Sequence, residues 1–202
     1  VKKLAIGILE NPGKPFGKFD NPIVKFTRKK ENRALNWLTT VISDTGEPWT
    51  LYPVSGVLAF KWLSRNRRTD TGALAMALVG SAIVNKGIKG VAQRPRPSFK
   101  LHLSKSQGSS FPSNHTTMSV ATYGTMAYLM ARRRRQMADV QAVTRLWTPA
   151  FLFCTLIGGS RIYQGVHHPS DVLGGAVAGS VWLAACGVAR HFMERYLDAG
   201  LI

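Results

Sequence analysis

SRIYQGVHHPSD, residues 160–171, leaves one apolar run and enters another while carrying Arg161, His167 and Asp171. Apolar runs usually shed charge, so a segment that gathers a cation, an imidazole and a carboxylate between two of them marks a candidate site. Pro169 suits the first turn of a helix and Ser170 fits the same turn, which puts His167 just before that helix and Asp171 just inside it. An aspartate four residues beyond a histidine can accept a hydrogen bond from one ring nitrogen and leave the other as a nucleophilic lone pair. The same spacing also fits an aspartate that satisfies the helix dipole, with the histidine paired to it for structure.

Working outward, apolar runs occupy residues 49–63, 72–84, 116–130, 146–159 and 172–189. Strand-like alternation is scarce, so the fold class is all-α. A membrane span needs about 20 residues, and several runs reach that length only with their polar flanks. Every run is bounded by charge, including Lys61, Arg65, Arg67 and Arg68 and the four arginines at 132–135, and the last run holds Gly175-x-x-x-Gly179 among small residues, a pattern that lets helices pack closely in lipid. The mean hydropathy is close to zero, which a soluble bundle with buried helices would also show. The expectation is an antiparallel membrane helix bundle with about five spans in a domain covering 47–202, preceded by a polar and amphipathic segment, 1–46. Within that segment the apolar members Val24, Phe26, Leu35, Trp37 and Leu38 predict one amphipathic helix over 23–41.

The chain has 202 residues, of which 27 are Lys or Arg and 10 are Asp or Glu, for a formal charge of +17. Such a balance fits nucleic acid, an anionic membrane surface or a phosphorylated substrate. No basic face interleaved with aromatics appears, and charge at the ends of apolar runs accounts for most of the surplus, which argues against a nucleic-acid partner. Cys154 and Cys186 lie inside apolar segments with no CxxC and read as buried small hydrophobes.

Two further constellations stand at ends of apolar runs. KGVAQRPRP, residues 89–97, sets Lys89 and Arg96 two helical turns apart and closes with prolines that end a helix. A cation pair of this kind can hold a phosphate, and it also fits an ordinary basic helix terminus. FPSNHTT, residues 111–117, offers Ser113 and Asn114 as N-caps and places His115 in the first turn, beside free N–H groups that favour an anion. With up-down connectivity all three constellations fall at one end of the bundle.

The joint pattern Lys89-x6-Arg96-Pro97, Pro112-Ser113-x-His115 and Ser160-Arg161-x5-His167-x3-Asp171 resembles the type 2 phosphatidic acid phosphatase family, whose relatives include bacterial class A acid phosphatases and vanadium haloperoxidases. The resemblance implies that Lys89, Arg96, Ser113 and Arg161 bind phosphate, with Asn114 in the same turn as Ser113. It implies that His167 attacks phosphorus, that Asp171 orients it and that His115 protonates the leaving group. Asn114 stands where the family mostly has glycine, and asparagine is the residue after glycine most tolerant of positive φ. Some polyprenyl-diphosphate phosphatases of the family have an aspartate before His-Thr-Thr, which points toward a polyprenyl substrate.

The resemblance therefore implies an integral membrane lipid-phosphate phosphatase acting on undecaprenyl diphosphate or a phosphatidate-like lipid, with membrane lipids around it. The charge of the substrate is met by cations and helix N-termini, and since Asp171 is the one acid inside a motif, neither cofactor nor metal is expected. A soluble acid phosphatase or vanadate-dependent haloperoxidase on the same scaffold, and a basic binding protein without turnover, are the alternatives. The loop 97–111, with Phe99, Leu101 and Leu103 among Lys100 and Lys105, is expected to cover the site and touch an acyl or prenyl chain. The positive-inside tendency puts 61–68 and 132–135 in the cytoplasm and the motifs on the extracytoplasmic face of the cell membrane. That topology leaves the basic run 25–33 outside with nothing to carry it across, so a membrane helix before this point is expected to be missing from the sequence.

Overall fold

The computed structural model describes residues 16–29, 32–97, 102–104, 106–136 and 140–198. Seven helices and no strand are found among them: α1 (Gly17–Lys29), α2 (Arg33–Asp44), α3 (Pro48–Leu63), α4 (Arg68–Ala92), α5 (Asn114–Gln136), α6 (Val140–Tyr163) and α7 (Pro169–Asp198). Where one amphipathic helix was expected over 23–41, two occur. Asn32 stands in extended conformation with φ −150° and its Oδ1 accepts the Leu35 N–H at 2.8 Å, so a strong N-cap starts a new helix there. α4 stops because Gln93 takes the left-handed conformation at φ 43° and turns its N–H back to the Lys89 carbonyl, two residues before Pro95. α7 starts at Pro169, a residue with no N–H to leave unsatisfied in the first turn.

α5 is the centre of the bundle, packed against α4, α6 and α7, while α2 lies on α6 and α1 lies on α7 and α6. The approach of α7 to α5 is close: a Cβ on Gly175 would stand 2.8 Å from the Ser113 carbonyl, and one on Gly179 would stand 2.7 Å from that of Thr117. The small-residue spacing thus brings the start of α7 against the start of α5, the two helix ends that carry Asp171 and His115. Trp62, Leu74, Met126 and Leu129 form one apolar cluster, and Leu51, Leu78 and Met118 another.

The distribution of polarity is inverted relative to a water-soluble bundle. Thr117, Ser119, Thr122 and Thr125 of α5, with Ser81 and Asn85 of α4, are buried, whereas Val57, Phe60, Ile83, Phe151, Val177 and Val181 are 64% to 76% exposed. Apolar side chains facing outward around a polar interior are stable in lipid, where small and hydroxyl-bearing residues make the helix contacts. Of the roughly five expected spans, α4 and α7 are long and apolar enough to cross a membrane by length and composition. α3, with 16 residues, rises about 24 Å, short of a hydrocarbon core of about 30 Å. Cys154 and Cys186 are both free and buried.

Candidate active site

The end of α4, the start of α5, the end of α6 and the start of α7 meet at one end of the bundle, as up-down connectivity requires. Backbone bonds join the segments directly: Ser113 N–H donates to the Asp171 carbonyl at 3.0 Å, and Ser110 N–H to the Arg94 carbonyl at 2.8 Å. Lys89, Arg96, Ser113, His115, Arg161, His167 and Asp171 all belong to this gathering.

His167 and Asp171 occupy its floor, 2% and 0% exposed. Asp171 is the third residue of α7, and its Oδ2 reaches back to accept the His168 N–H at 2.8 Å, as a capping carboxylate does. The same oxygen faces His167 Nδ1 at 3.5 Å, a long contact. On the other side of the ring, Arg96 Nη1 stands 3.2 Å from His167 Nε2. A guanidinium can only donate, so Nε2 is the acceptor and the ring proton sits on Nδ1, toward Asp171. Burial, with Arg96 adding to it and Asp171 opposing it, pushes the His167 imidazole down to about 3. The ring is therefore neutral at physiological pH and presents a lone pair at Nε2. Helix capping and histidine orientation, which the sequence leaves as alternatives, are here performed by one carboxylate.

Arg96 is the cation beside that nitrogen; Lys89 and Arg161 belong to the same gathering, and each of the three is held by neutral oxygens. Lys89 Nζ donates to the Ser109 carbonyl at 2.6 Å. Arg96 donates to the carbonyls of Gly108 (3.1 Å), Gln107 (3.1 Å) and Val166 (2.8 Å). Arg161 Nη1 donates to Ser43 Oγ at 2.6 Å and Gln164 Oε1 at 2.8 Å, while its buried Nε has no partner. Burial draws the Arg96 guanidinium below its ordinary value, against the pull of Asp171. Ser113 is fully buried at the N-cap of α5, its Oγ accepting from Thr116 Oγ1 at 3.1 Å. Asn114 is the first residue of α5 and is absent from the positive-φ residues, which among the described residues are Asn66 and Gln93 apart from glycine. The turn therefore needs no left-handed residue at 114, and the Asn114 amide lies 3.3 Å from Met118 Sδ.

Several residues of the site carried no signal in the sequence. Arg94, 2% exposed, donates to Asp171 Oδ1 at 2.5 Å, to Ser170 Oγ at 2.6 Å and to Asp20 Oδ2 at 2.7 Å. Asp20, from α1, also accepts the Ser170 N–H at 2.9 Å. Asp171 is thereby fixed by a buried chain of charges whose far end, Asp20, lies 150 residues from Ser170. Glu47 places Oε1 2.8 Å from His115 Nε2, and that contact holds the Glu47 carboxyl below its ordinary value. In the loop 97–111, Leu103 N–H donates to the Gln164 carbonyl at 2.9 Å; Phe99, Lys100, Leu101 and Lys105 lie outside the described residues.

A neutral buried imidazole with a carboxylate on one side and Arg96 on the other, in a bundle with lipid-facing apolar sides, fits a membrane phosphatase. The family model of the PAP2 superfamily matches residues 70–193, and the chain belongs to that family. The chain is similar to phosphatidylglycerophosphatase B of Bacillus subtilis (strain 168), 30% identical over 142 residues that cover 70% of this chain and 68% of the relative. It is also similar to undecaprenyl-diphosphatase BcrC of the same organism, 33% identical over 128 residues that cover 60% of this chain and 59% of the relative. The crystal structure of a transmembrane PAP2 type phosphatidylglycerolphosphate phosphatase from Bacillus subtilis superposes with a TM-score of 0.78 at 25% identity, covering 90% of this chain and 88% of that one. The LpxE structure from Aquifex aeolicus shares the fold, with a TM-score of 0.66 at 22% identity over 83% of this chain and 93% of that one.

Proposed function

We propose that this membrane phosphatase cleaves a lipid phosphomonoester or diphosphate by transfer of the phosphoryl group to His167, followed by hydrolysis of the phosphohistidine. The observation that carries the reading is the geometry of His167: Nδ1 faces Asp171 Oδ2 at 3.5 Å, and Nε2, 3.2 Å from Arg96 Nη1, lies among the cations. Lys89, Arg96 and Arg161, with Ser113 and the N-terminus of α5, neutralise the phosphate oxygens, with Asn114 in the same first turn. His167 Nε2 forms the P–N bond as the P–O bond to the leaving group breaks. His115 gives its proton to the leaving oxygen, then takes one from the water that displaces Nε2. Asp171 keeps the Nδ1 proton in place throughout.

The cations perform the charge neutralisation that a metal performs elsewhere, so EDTA should leave the rate unchanged. Lys61, Arg65, Arg67, Arg132 and Arg133 cluster at the end of the bundle away from the motifs, which supports a cytoplasmic position for that end and an extracytoplasmic one for the site. The substrate class is the lipid phosphates and diphosphates that the names of the relatives describe. Phosphate release in detergent from phosphatidylglycerophosphate, undecaprenyl diphosphate, phosphatidic acid and a soluble ester ranks them. Rapid quench with a radiolabelled substrate should trap acid-labile, base-stable label on the wild-type chain and none on His167→Ala, with release falling by roughly 10³-fold or more. Label retained by His167→Ala would refute the nucleophile assignment.

A further inference from the structure

The turn between α2 and α3, residues 43–47 (SDTGE), enters the site although it lies outside the three motifs and outside the matched residues 70–193. Four contacts hold it there. Arg161 Nη1 donates to Ser43 Oγ at 2.6 Å, and Tyr123 OH donates to the Thr45 carbonyl at 2.7 Å. Gly46 lies so close to α5 and α6 that a Cβ would stand 2.8 Å from Ile157 Cγ2 and 2.9 Å from Ser119 Oγ. Glu47 Oε1 then reaches to 2.8 Å from His115 Nε2. A side chain at 46 would push the turn away from the helices, so the glycine is what lets the carboxylate arrive.

The chemistry of His115 calls for that carboxylate. To give a proton to a leaving oxygen the ring must first hold one on each nitrogen. The His115 side chain is only 8% exposed, and Arg161 from α6 and Arg96 from the segment after α4 both bear on it electrostatically. Lost hydration and two guanidinium groups all oppose an imidazolium at this position. Among the described residues Glu47 is the acid acting on the ring; it acts in the opposite sense and offsets part of these effects, which together hold the ring below its ordinary value.

We propose that Glu47 is a positioning residue that favours the protonated form of His115 for donation to the leaving group, and that the 43–47 turn is a fourth element of the active site. The inference rests on the assignment of His115 as the acid. Glu47 remains ionised and exchanges no proton: the leaving oxygen takes a proton from His115 as the P–O bond breaks, and His115 recovers one from water as the P–N bond is hydrolysed. Ser43 plays the matching part for Arg161, fixing the guanidinium without cancelling its charge.

The test is phosphate release from phosphatidylglycerophosphate in detergent between pH 5 and 9, with the full chain and the variants Glu47→Gln, Glu47→Asp, Ser43→Ala and His167→Ala. Removing the Glu47 charge should move the basic limb of kcat to lower pH by about 1 unit or more, a loss of roughly tenfold above that limb that shrinks as the pH falls toward 5. Glu47→Asp keeps the charge at a longer reach and should move the limb less, in the same direction. Ser43→Ala should raise KM severalfold with the limb in place. A Glu47→Gln rate reduced equally at every pH, or not at all, overturns the inference. If the wild type releases phosphate and His167→Ala does not, that failure leaves the phosphatase reading standing; if the wild type releases none, both fall.

Discussion

At the end of the bundle away from the site, Arg190 donates to Asp70 Oδ1 at 2.5 Å and to Glu194 Oε2 at 2.9 Å, Arg132 takes Glu194 at 2.8 Å, and Arg67 takes Asp70. At the site end, Lys89, Arg96 and Arg161 rest on carbonyl, hydroxyl and amide oxygens, and none of them has a carboxylate partner among the described residues. The first set is a clamp. Its three arginines share two carboxylates and tie α4, α5 and α7 together. The second set is a field. Neutral oxygens fix the direction of each cation yet leave its charge uncancelled, which is what the proposed phosphate site requires. Arg94 follows the clamp pattern inside the site, shared by Asp20 and Asp171, which is why it reads as a support for Asp171 and not as a ligand for substrate.

The sharpest way to break this contrast is to remove a cation from the field. Arg96→Met should lower phosphate release by roughly 10²–10³-fold, as loss of one preorganised donor does. Its thermal midpoint should move little, and a variant with near-normal turnover would show that the uncancelled charge is not used.

A smaller effect concerns pH. His167, pushed down to about 3, stays neutral as pH falls through its ordinary value of 6.5. The acid limb of kcat/KM, after correction for the substrate's own ionisation, should therefore lie well below 6.5. The unfolded chain binds this proton and the native chain does not, so the contribution to stability is complete above 6.5 and is lost as pH falls toward 3. An acid limb centred near 6.5 would place the ring in water-like surroundings.

The least kinetic effect belongs to the clamp. Arg190→Met leaves Asp70 with Arg67 and Glu194 with Arg132 and should cost about 2 kcal/mol of stability, as loss of charge-assisted hydrogen bonds does, read as a lower thermal midpoint, while kcat in the cold stays within about threefold of the wild type. A large loss of turnover with an unchanged midpoint would merge the two ends into one functional unit.

The fold class was legible because five apolar runs, each bounded by charge, leave little room for anything but helices. The site was legible in its motifs because Lys89, Arg96, Ser113, His115, Arg161, His167 and Asp171 sit at run ends, and run ends alternate between two faces of a bundle. Asp20 and Glu47 were not legible. Each is a single acid in a polar stretch, with no periodicity to flag it, and Asp20 meets Arg94 across 74 residues of intervening chain. The helix start read at Ser113 and Asn114 is where α5 begins, and its backbone is helical at 114, so the family's usual glycine is not required there. The break between α1 and α2 turned on one capping side chain, Asn32, which overrides the amphipathic pattern that runs through it.

Asp20 belongs to the first described helix and Ser170 and Asp171 to the last, and Arg94 joins them from the middle. During synthesis α1 emerges long before α7 exists, so the charge chain that seats Asp171 cannot close until nearly the whole protein has been made. A nascent chain already holding Lys89, Arg96 and His115 has no seated His167–Asp171 pair, so that pair is the last part of the gathering to be set.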